Sequence, residues 1–521
     1  MAAGRYYVTT PIYYVNDAPH IGHAYTTLAC DALARFMRLD GRHVRFLTGT
    51  DEHGQKVEKA AAAAGIDPQA FTDEMSGNFR RLADAMNFSH DDFIRTTEQR
   101  HIDSSKGIWQ AIAANKSPKG QDNIYLDKYA GWYAVRDEAF YTEGELEEGP
   151  DGKRLAPSGA EVEWVEEASY FFRLSDWEEA LLEFYESNPD AVAPRSRRNE
   201  VISFVKGGLK DLSISRTTFK WGIPVPGDED HIMYVWLDAL TNYITAVGYP
   251  DTESELFQAY WPADLHMVGK DILRFHAVYW PAFLMAAGVA PPRRVFAHGW
   301  WTNEGQKISK SLGNVIDPFE LVEKYDLDPV RYFLLREVPF GNDGDYSHRA
   351  MVHRLNSDLA NDLGNLCQRV LSMIAKNCHG EVPVPGDLAA EDEALLGRTG
   401  GLVEAIREDM AAQAFHTTLT TIWEAVGEAN RYVDAQAPWA LRKSDPDRMA
   451  TVLYVLAEAI RHLGLVVQPI MPDSAGKILD QLAVDAQARQ FASMDAKLRP
   501  GTALPAPEPV FPRFVEEEDE G

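Results

Sequence analysis

Residues Tyr6 to Gly54 constrain what this chain can fold into more than any other stretch. Tyr6-Tyr7-Val8-Thr9-Thr10 is a β-branched and aromatic run and reads as a strand. Asn16, Asp17 and Pro19 mark a turn. Ile21, Ala24, Leu28, Ala32, Leu33 and Phe36 then recur three and four residues apart, which predicts an amphipathic helix, and Gly41 stops it. Val44-Arg45-Phe46-Leu47 is a second strand, running into Gly49-Thr50-Asp51-Glu52-His53-Gly54. Strand, turn, helix, strand is half of a nucleotide-binding parallel sheet. Such sheets bind ligands at the carboxyl ends of their strands, where both His-bearing segments would lie.

His20-Ile21-Gly22-His23 opens the helix. Two imidazoles in a first turn sit beside unpaired backbone N–H groups and the positive end of the dipole, so they can form an anion site. Gly22 leaves room for a flat ring such as adenine. The plain alternative is two ordinary histidines at a helix start. Far along the chain, Lys307-Ile308-Ser309-Lys310-Ser311-Leu312-Gly313-Asn314 is a small basic loop. Two lysines three apart with a hydroxyl between them suit a pyrophosphate leaving group, stabilising charge that develops in the transition state. Alone, that pattern also fits a solvated surface.

Together, in this order, the two motifs resemble the signature pair of class I aminoacyl-tRNA synthetases. Pro11-Ile12-Tyr13-Tyr14-Val15-Asn16, Gly49-Thr50-Asp51-Glu52-His53-Gly54, Tyr234-Val235-Trp236-Leu237-Asp238-Ala239 and Val268-Gly269-Lys270-Asp271 narrow the resemblance to the bacterial methionyl members. It covers nearly the whole chain. It implies a methionine–tRNA ligase that makes methionyl-adenylate and pyrophosphate from methionine and ATP, then transfers methionyl to the 3′ end of tRNA(Met), initiator tRNA included. His20 and His23 would hold phosphates, and Lys307 and Lys310 the departing pyrophosphate. ATP would meet Gly22, Gly269, Asp271, Lys307, Ser309 and Lys310. Asp51 would take the ammonium as a charge-assisted pair, although a turn aspartate is the local alternative. Ile12, Tyr14, Trp236, Ala239, Tyr243, Ile272, His276 and Trp280 would line the side-chain pocket, where a thioether suits aromatic walls. Core packing is the alternative for the stripe Ile272, His276, Trp280. Leu240 stands where the family often has proline. Shape rejects close analogues by only ~1–3 kcal/mol per methylene, so homocysteine misactivation is expected. Asn365, Arg369 and Trp439 match the positions by which the family reads the CAU anticodon. Mg²⁺ would come with ATP.

The fold class that follows is α/β: a Rossmann-type parallel-sheet catalytic domain split by a small mixed insertion, followed by an α-helical anticodon-binding bundle. The boundaries read as 1–117 and 225–300 for the catalytic halves, 118–224 for the insertion, 301–346 for the lysine-loop and stem-contact region, 347–504 for the bundle, and 505–521 for a Pro-rich acidic tail, disordered at its end. Gln55 to about Phe93 reads as helices covering the sheet, broken at Gly65-Ile66-Asp67-Pro68. Tyr234-Val235-Trp236-Leu237, Leu265 to Val268 and Val295 to Trp301 read as strands. Asp271, Asp317 and Asp328 read as helix caps, the last two followed by proline, and Pro281 should kink its helix.

The insertion is aromatic: Tyr125, Tyr129, Trp132, Tyr133, Phe140 and Tyr141. Methionyl enzymes often carry zinc knuckles here, but no cysteine lies between Cys30 and Cys367. No structural zinc, and no protein-bound metal, is expected. The insertion is also too short for the editing domain of the leucyl, isoleucyl and valyl relatives. Arg216 resembles the family's buried structural arginine. Three cysteines exclude a disulfide framework. With no long apolar run or signal peptide, a cytoplasmic protein is expected, and with no appended dimerisation domain, a monomer. A net charge of −28 argues against general nucleic-acid binding, so tRNA contact would use a confined basic patch and base stacking. Three other readings compete. A cysteinyl enzyme would need zinc thiolates, a nucleotidyltransferase would not need the helical domain, and a catalytically dead RNA-binding relative would not need all of His20, His23, Lys307, Lys310 and Asp51.

Overall fold

The structure, a computed structural model, describes residues 4–516 except Asn16, Asp17, Glu138, Pro150, Asp151 and 309–312, and the side chains of Tyr129 and Glu167. The expected turn at Asn16 and Asp17, the roles given to Ser309 and Lys310, and the expected disorder at the acidic end lie outside the described residues.

β1 (Arg5–Thr9), β2 (Tyr13–Tyr14), β3 (His43–Asp51), β4 (Asp92–Arg95), β5 (Val192–Ala193), β6 (Leu265–Gly269) and β7 (Val295–His298) form one seven-stranded sheet. Its order is β5-β7-β6-β1-β3, with β2 and β4 both pairing with β3, and every pairing is parallel. Val8 sits level with Leu265 on one side and Phe46 on the other. β1 is flanked by the next strand of the first half on one side and by β6 of the second half on the other, so the strand order reverses there, and a ligand crevice opens at that point. β3 continues through Asp51, beyond the strand read at Val44–Leu47. Gly49 allows β4 its close approach, since a Cβ there would lie 2.0 Å from the Ile94 carbonyl oxygen. β5 comes from within residues 118–224, so the inserted segment itself returns an edge strand to the sheet.

Helix α1 (Ile21–Leu39) follows its sequence stripe and packs across β1, β3 and β6, with Ile21, Ala24, Leu28, Ala32, Leu33 and Phe36 all buried. Gly41, at φ +82°, takes the left-handed turn just past its end. Helix α2 (Gln99–Ala114) and helix α3 (Val235–Thr245) pack on each other behind the crevice. Tyr234 to Leu237, expected as a strand, is the start of α3. Every α3 residue from Leu237 to Thr245 is buried, and an apolar run buried all round carries no periodicity to separate helix from strand. Val295 to Trp301 is likewise two elements: β7 ends at His298, and Trp301–Asn303 joins a separate three-stranded sheet. Pro281 is preceded by a π-helical turn, Phe275–Tyr279, and the Ala277 carbonyl four residues before the proline accepts from the Tyr185 hydroxyl in place of the missing N–H.

The insertion carries a four-stranded antiparallel sheet whose long strands are Ile124–Ala134 and Glu163–Phe172. Its end is packed without thiolates. The Trp132 and Trp164 rings meet edge-on at 5.3 Å, the Arg154 guanidinium lies 4.7 Å from the Trp132 ring, and Ala134, Ala156 and Ala160 are buried together. Arg216 is buried, donates to Ser213 Oγ (2.7 Å) and the Ser215 carbonyl (2.6 Å), and faces the Tyr234 ring at 4.5 Å.

Residues 348–481 are helical almost throughout. Asp317 caps its helix as expected, accepting from the Phe319 N–H at 2.8 Å. Asp328 does not cap its own: that helix starts at Leu327, and the Asp328 carboxylate accepts instead from the Ser474 N–H at 2.5 Å. The longest apolar helix, Pro446–Val467, has the length and apolarity of a membrane span, contrary to the sequence expectation, yet 94% of its most apolar window is buried in the bundle. The bundle and α1 share one apolar core, with Phe36 against Phe491 at 5.1 Å. Within it, the wholly buried Arg331 pairs with Asp31 of α1 (2.6 Å) and donates to the Met86, Pro469 and Ile470 carbonyls. Of the tail, Val510 and Phe511 are buried and Phe514 lies 5.2 Å from the Tyr325 ring, so residues 505–516 lie on the body of the protein.

Candidate active site

The two motif histidines cap α1 with their own rings. His20 Nδ1 accepts from the Gly22 N–H (3.0 Å) and His23 Nδ1 accepts from the His20 N–H (3.1 Å). The free N–H groups expected at this helix start are therefore occupied. A ring nitrogen that accepts from an N–H carries no proton, so in both residues the proton sits on Nε2. Burial holds His20 below the ordinary imidazole range, with Asp271 opposing, and burial plus His20 pushes His23 well below it. The pair is neutral, not cationic. It offers Nε2–H donors from two rings 3.9 Å apart, with His23 set against Tyr13 (4.8 Å) and Phe79 (5.2 Å). Gly22 is needed for this cap: a Cβ there would lie 2.9 Å from His20 Cε1.

Gly269 and Asp271 lie at the carboxyl end of β6, beside the histidines. Asp271 is not a helix cap. A short 3₁₀ turn runs from Lys270 to Ile272, and Asp271 Oδ1 accepts from Trp300 Nε1 at 3.1 Å. Lys270 is bound to both Asp343 oxygens (2.8 and 2.7 Å) and lies 4.5 Å from the half-exposed Trp300 ring. Lys307 is exposed on a hairpin, opposite Thr302.

The amino-acid pocket residues do converge. Ile12, Tyr14, Trp236 and Ile272 are partly buried against the same core as Tyr243 and Trp280. Ala239 is buried on α3 between Trp236 and Tyr243, and Asp51, 4% exposed, ends β3. His276 Nδ1 donates to the Ile272 carbonyl (2.9 Å), so its Nε2 accepts from the Tyr243 hydroxyl (2.7 Å). Burial lowers its pKa to about 4, so it is neutral. Trp280 Nε1 donates to His266 Nε2 (3.3 Å), and His266 Nδ1 then donates to Thr9 Oγ1 (2.8 Å). The Trp236 Nε1–H has no acceptor among the described residues.

The sequence reading missed three members of this neighbourhood. Phe275 stacks on Trp236 at 3.6 Å and 6° between planes, because the π turn rotates it onto the face read as Ile272, His276 and Trp280. His266 was read only as part of a strand. Asp238 bridges two histidines: its Oδ2 lies 2.7 Å from His53 Nδ1 and its Oδ1 2.7 Å from His101 Nε2. The signal was present, since one carboxylate inside an apolar run needs partners when buried.

In the bundle, Asn365 is exposed at the start of the helix Asn365–Asn377, and Arg369 lies 5.5 Å from the Trp439 ring while pairing with Asp434 at 2.8 Å. Trp439 is 48% exposed. Ala437, in the left-handed region at φ +44°, reverses the chain between two helices and turns Trp439 out.

Two family descriptions match: tRNA synthetases class I (M) over residues 6–371, and the anticodon binding domain of methionyl tRNA ligase over 382–521. The chain belongs to the methionyl-tRNA synthetases. The methionine–tRNA ligase of Brucella suis biovar 1 (strain 1330) is 60% identical over 521 residues, all of both chains. That of Mycobacterium bovis is 57% identical over 514 residues, 98% of each. The structure of Mycobacterium tuberculosis methionyl-tRNA synthetase in complex with methionyl-adenylate superposes with a TM-score of 0.94 at 56% identity, over 98% of this chain and 100% of that one. These matches bear out the family and the fold class, a parallel-sheet catalytic domain followed by a helical anticodon domain.

Proposed function

We propose that this chain activates methionine with ATP and charges tRNA(Met), initiator tRNA included, with its residues in the following roles. The carrying observation is the histidine cap. Two neutral imidazoles with their protons fixed on Nε2 stand at the strand-order reversal, ready to donate to phosphate oxygens without repelling the magnesium that accompanies ATP. The methionine carboxylate attacks the α-phosphorus in line. The bond to the bridging oxygen breaks and pyrophosphate leaves with its electron pair. The terminal ribose hydroxyl of tRNA then attacks the adenylate carbonyl and releases AMP. Neither step needs a protein nucleophile, so positioning and charge stabilisation supply the rate.

Asp51 holds the ammonium. Trp236, Ala239, Tyr243, Ile272, His276 and Trp280, with Ile12 and Tyr14, surround the thioether. His276 is held by bonds on both ring nitrogens and stays neutral, so the pocket presents no charge to an apolar side chain. Lys307 and Lys310 meet the departing pyrophosphate, Gly269 and Asp271 the nucleoside end of ATP, and Asn365, Arg369 and Trp439 the anticodon. We further propose a zinc-free, monomeric, cytoplasmic enzyme.

The test is ATP–pyrophosphate exchange with each amino acid supplied singly. Methionine alone should support exchange, and Lys307→Ala should lower kcat about 10²–10³-fold, the loss typical of removing one transition-state donor. Exchange with a different amino acid overturns the pocket assignment.

A further inference from the structure

Asp51 is followed by two residues that are each fixed to something else. Glu52, wholly buried, accepts a forked pair from Arg95 (2.7 and 2.9 Å) and one bond each from Thr50 (2.7 Å) and Thr97 (2.5 Å). That set ties the end of β3 to β4. His53 points the other way, to Asp238 on α3. Asp238 lies between Trp236 and Ala239, so the residue that grips His53 is flanked by two residues of the side-chain wall. Its second oxygen is bound by His101 of α2, which is completely buried and also faces Ser105 Oγ (3.2 Å) and Thr245 Oγ1 (3.3 Å). The His53 carbonyl in turn accepts from the Tyr14 hydroxyl at 3.1 Å. α2 and the turn after β3 are thus both pinned to one carboxylate of α3, each at 2.7 Å.

We propose that the His53–Asp238–His101 chain is the positioning device that sets the distance between the amino-group anchor and the side-chain wall, and so determines which side-chain length the enzyme accepts. The inference rests on the reading of Asp51 as the ammonium site. None of the three residues is assigned contact with substrate. Burial disfavours the Asp238 charge, but the histidines outweigh it and bring its pKa down to about 2, so the carboxylate stays an acceptor for both rings across the working pH range. A rigid, charge-assisted bridge of this kind resists small shifts of α3 along β3. The other described bonds from this sheet to α3 reach its far end, from the Tyr7 hydroxyl to the Tyr243 carbonyl (2.7 Å) and from Arg45 to the Ala246 carbonyl (2.6 Å), so the bridge is what fixes the end that carries Trp236 and Ala239.

The experiment is ATP–pyrophosphate exchange by the full chain with methionine and with ethionine, one methylene longer. In Asp238→Asn the amide can no longer accept from both histidines. The KM for methionine should rise tenfold or more, and the KM for ATP should stay within twofold. The ratio of kcat/KM for methionine over ethionine should fall at least fivefold. His101→Gln, which loosens only the far arm, should shift the same ratio in the same direction by a smaller factor, and it serves as the test if Asp238→Asn does not fold. An unchanged ratio in both variants overturns the proposal, as does a parallel rise of both KM values. Asp51→Asn separates the two layers: a methionine KM unchanged in that variant refutes the ammonium assignment, whatever Asp238 does.

Discussion

Trp439→Ala should disable charging while leaving activation intact, and the structure sets both sides of that contrast. The indole is 48% exposed, its described ring contact is the Arg369 guanidinium at 5.5 Å, and Arg369 keeps its own bond to Asp434 when the ring is gone. Truncating a half-exposed ring of this size costs about 1 kcal/mol of stability, well short of unfolding the bundle. Stacking of an unpaired base on an aromatic ring is worth ~1–3 kcal/mol by alanine substitution. At about 1.4 kcal/mol per tenfold, kcat/KM for tRNA charging should fall roughly 5- to 150-fold. Pyrophosphate exchange without tRNA should stay within about twofold, because Trp439 lies on a bundle helix, Pro438–Ser444, that packs on Pro446–Val467. The pair of assays is run on the same preparation, with a thermal melt as control. Equal loss in both assays would refute the reasoning and make Trp439 a structural residue. Full charging by the variant would refute the stacking role itself.

Arg331→Met should be strongly destabilising, by about 3–5 kcal/mol in denaturant unfolding, because it breaks a wholly buried ion pair, leaving Asp31 only Arg35 and Ser89, and removes the donor from the Met86, Pro469 and Ile470 carbonyls. Asp31 is disfavoured by burial but held below the usual carboxylate range by Arg331, Arg35 and Ser89, so its contribution is present above pH ~4 and is lost as pH falls through its lowered folded value; the variant should lose much of this acid dependence. His276 and His462 work in the same sense: burial lowers each to about 4, the unfolded chain takes up protons first, and stability should fall as pH drops from ~6.5 towards 4, by about 2–3 kcal/mol per residue, which His276→Gln should reduce. Elemental analysis of protein purified without chelator should find well under one zinc per chain; one zinc per chain would overturn the reading of the insertion.

How far the sequence could be read followed from how each signal is stored. α1 was legible because its apolar residues recur at three- and four-residue spacing and its histidine start and Gly41 stop lie in the same window, even though most of the helix is buried. The neutral state of the histidines was not legible, since it depends on which ring nitrogen meets which backbone N–H, a matter of χ angles rather than residue types. The π turn at Phe275–Tyr279 was hidden because the i, i+4 rule fits Ile272, His276 and Trp280 well, and nothing local says that one residue is to be inserted into the turn. Phe275, stacked on Trp236, fell one position outside the stripe read as Ile272, His276 and Trp280.

α3 shows where the limit lies. From Leu237 to Thr245 its residues are buried on every side, so periodicity, the main signal for secondary structure, is absent and the run reads as a strand as readily as a helix. The same burial makes Asp238 informative. A carboxylate at 0% exposure in an apolar element must find donors, and those available were His53 and His101, 185 and 137 residues away along the chain. The sequence states that the demand exists and leaves the suppliers open; only folding α2 and the end of β3 against α3 selects them. What a single buried charge requires is therefore readable in advance, and here that requirement falls between Asp51 and the Trp236–Ala239 end of α3, the two groups proposed to hold opposite ends of the substrate.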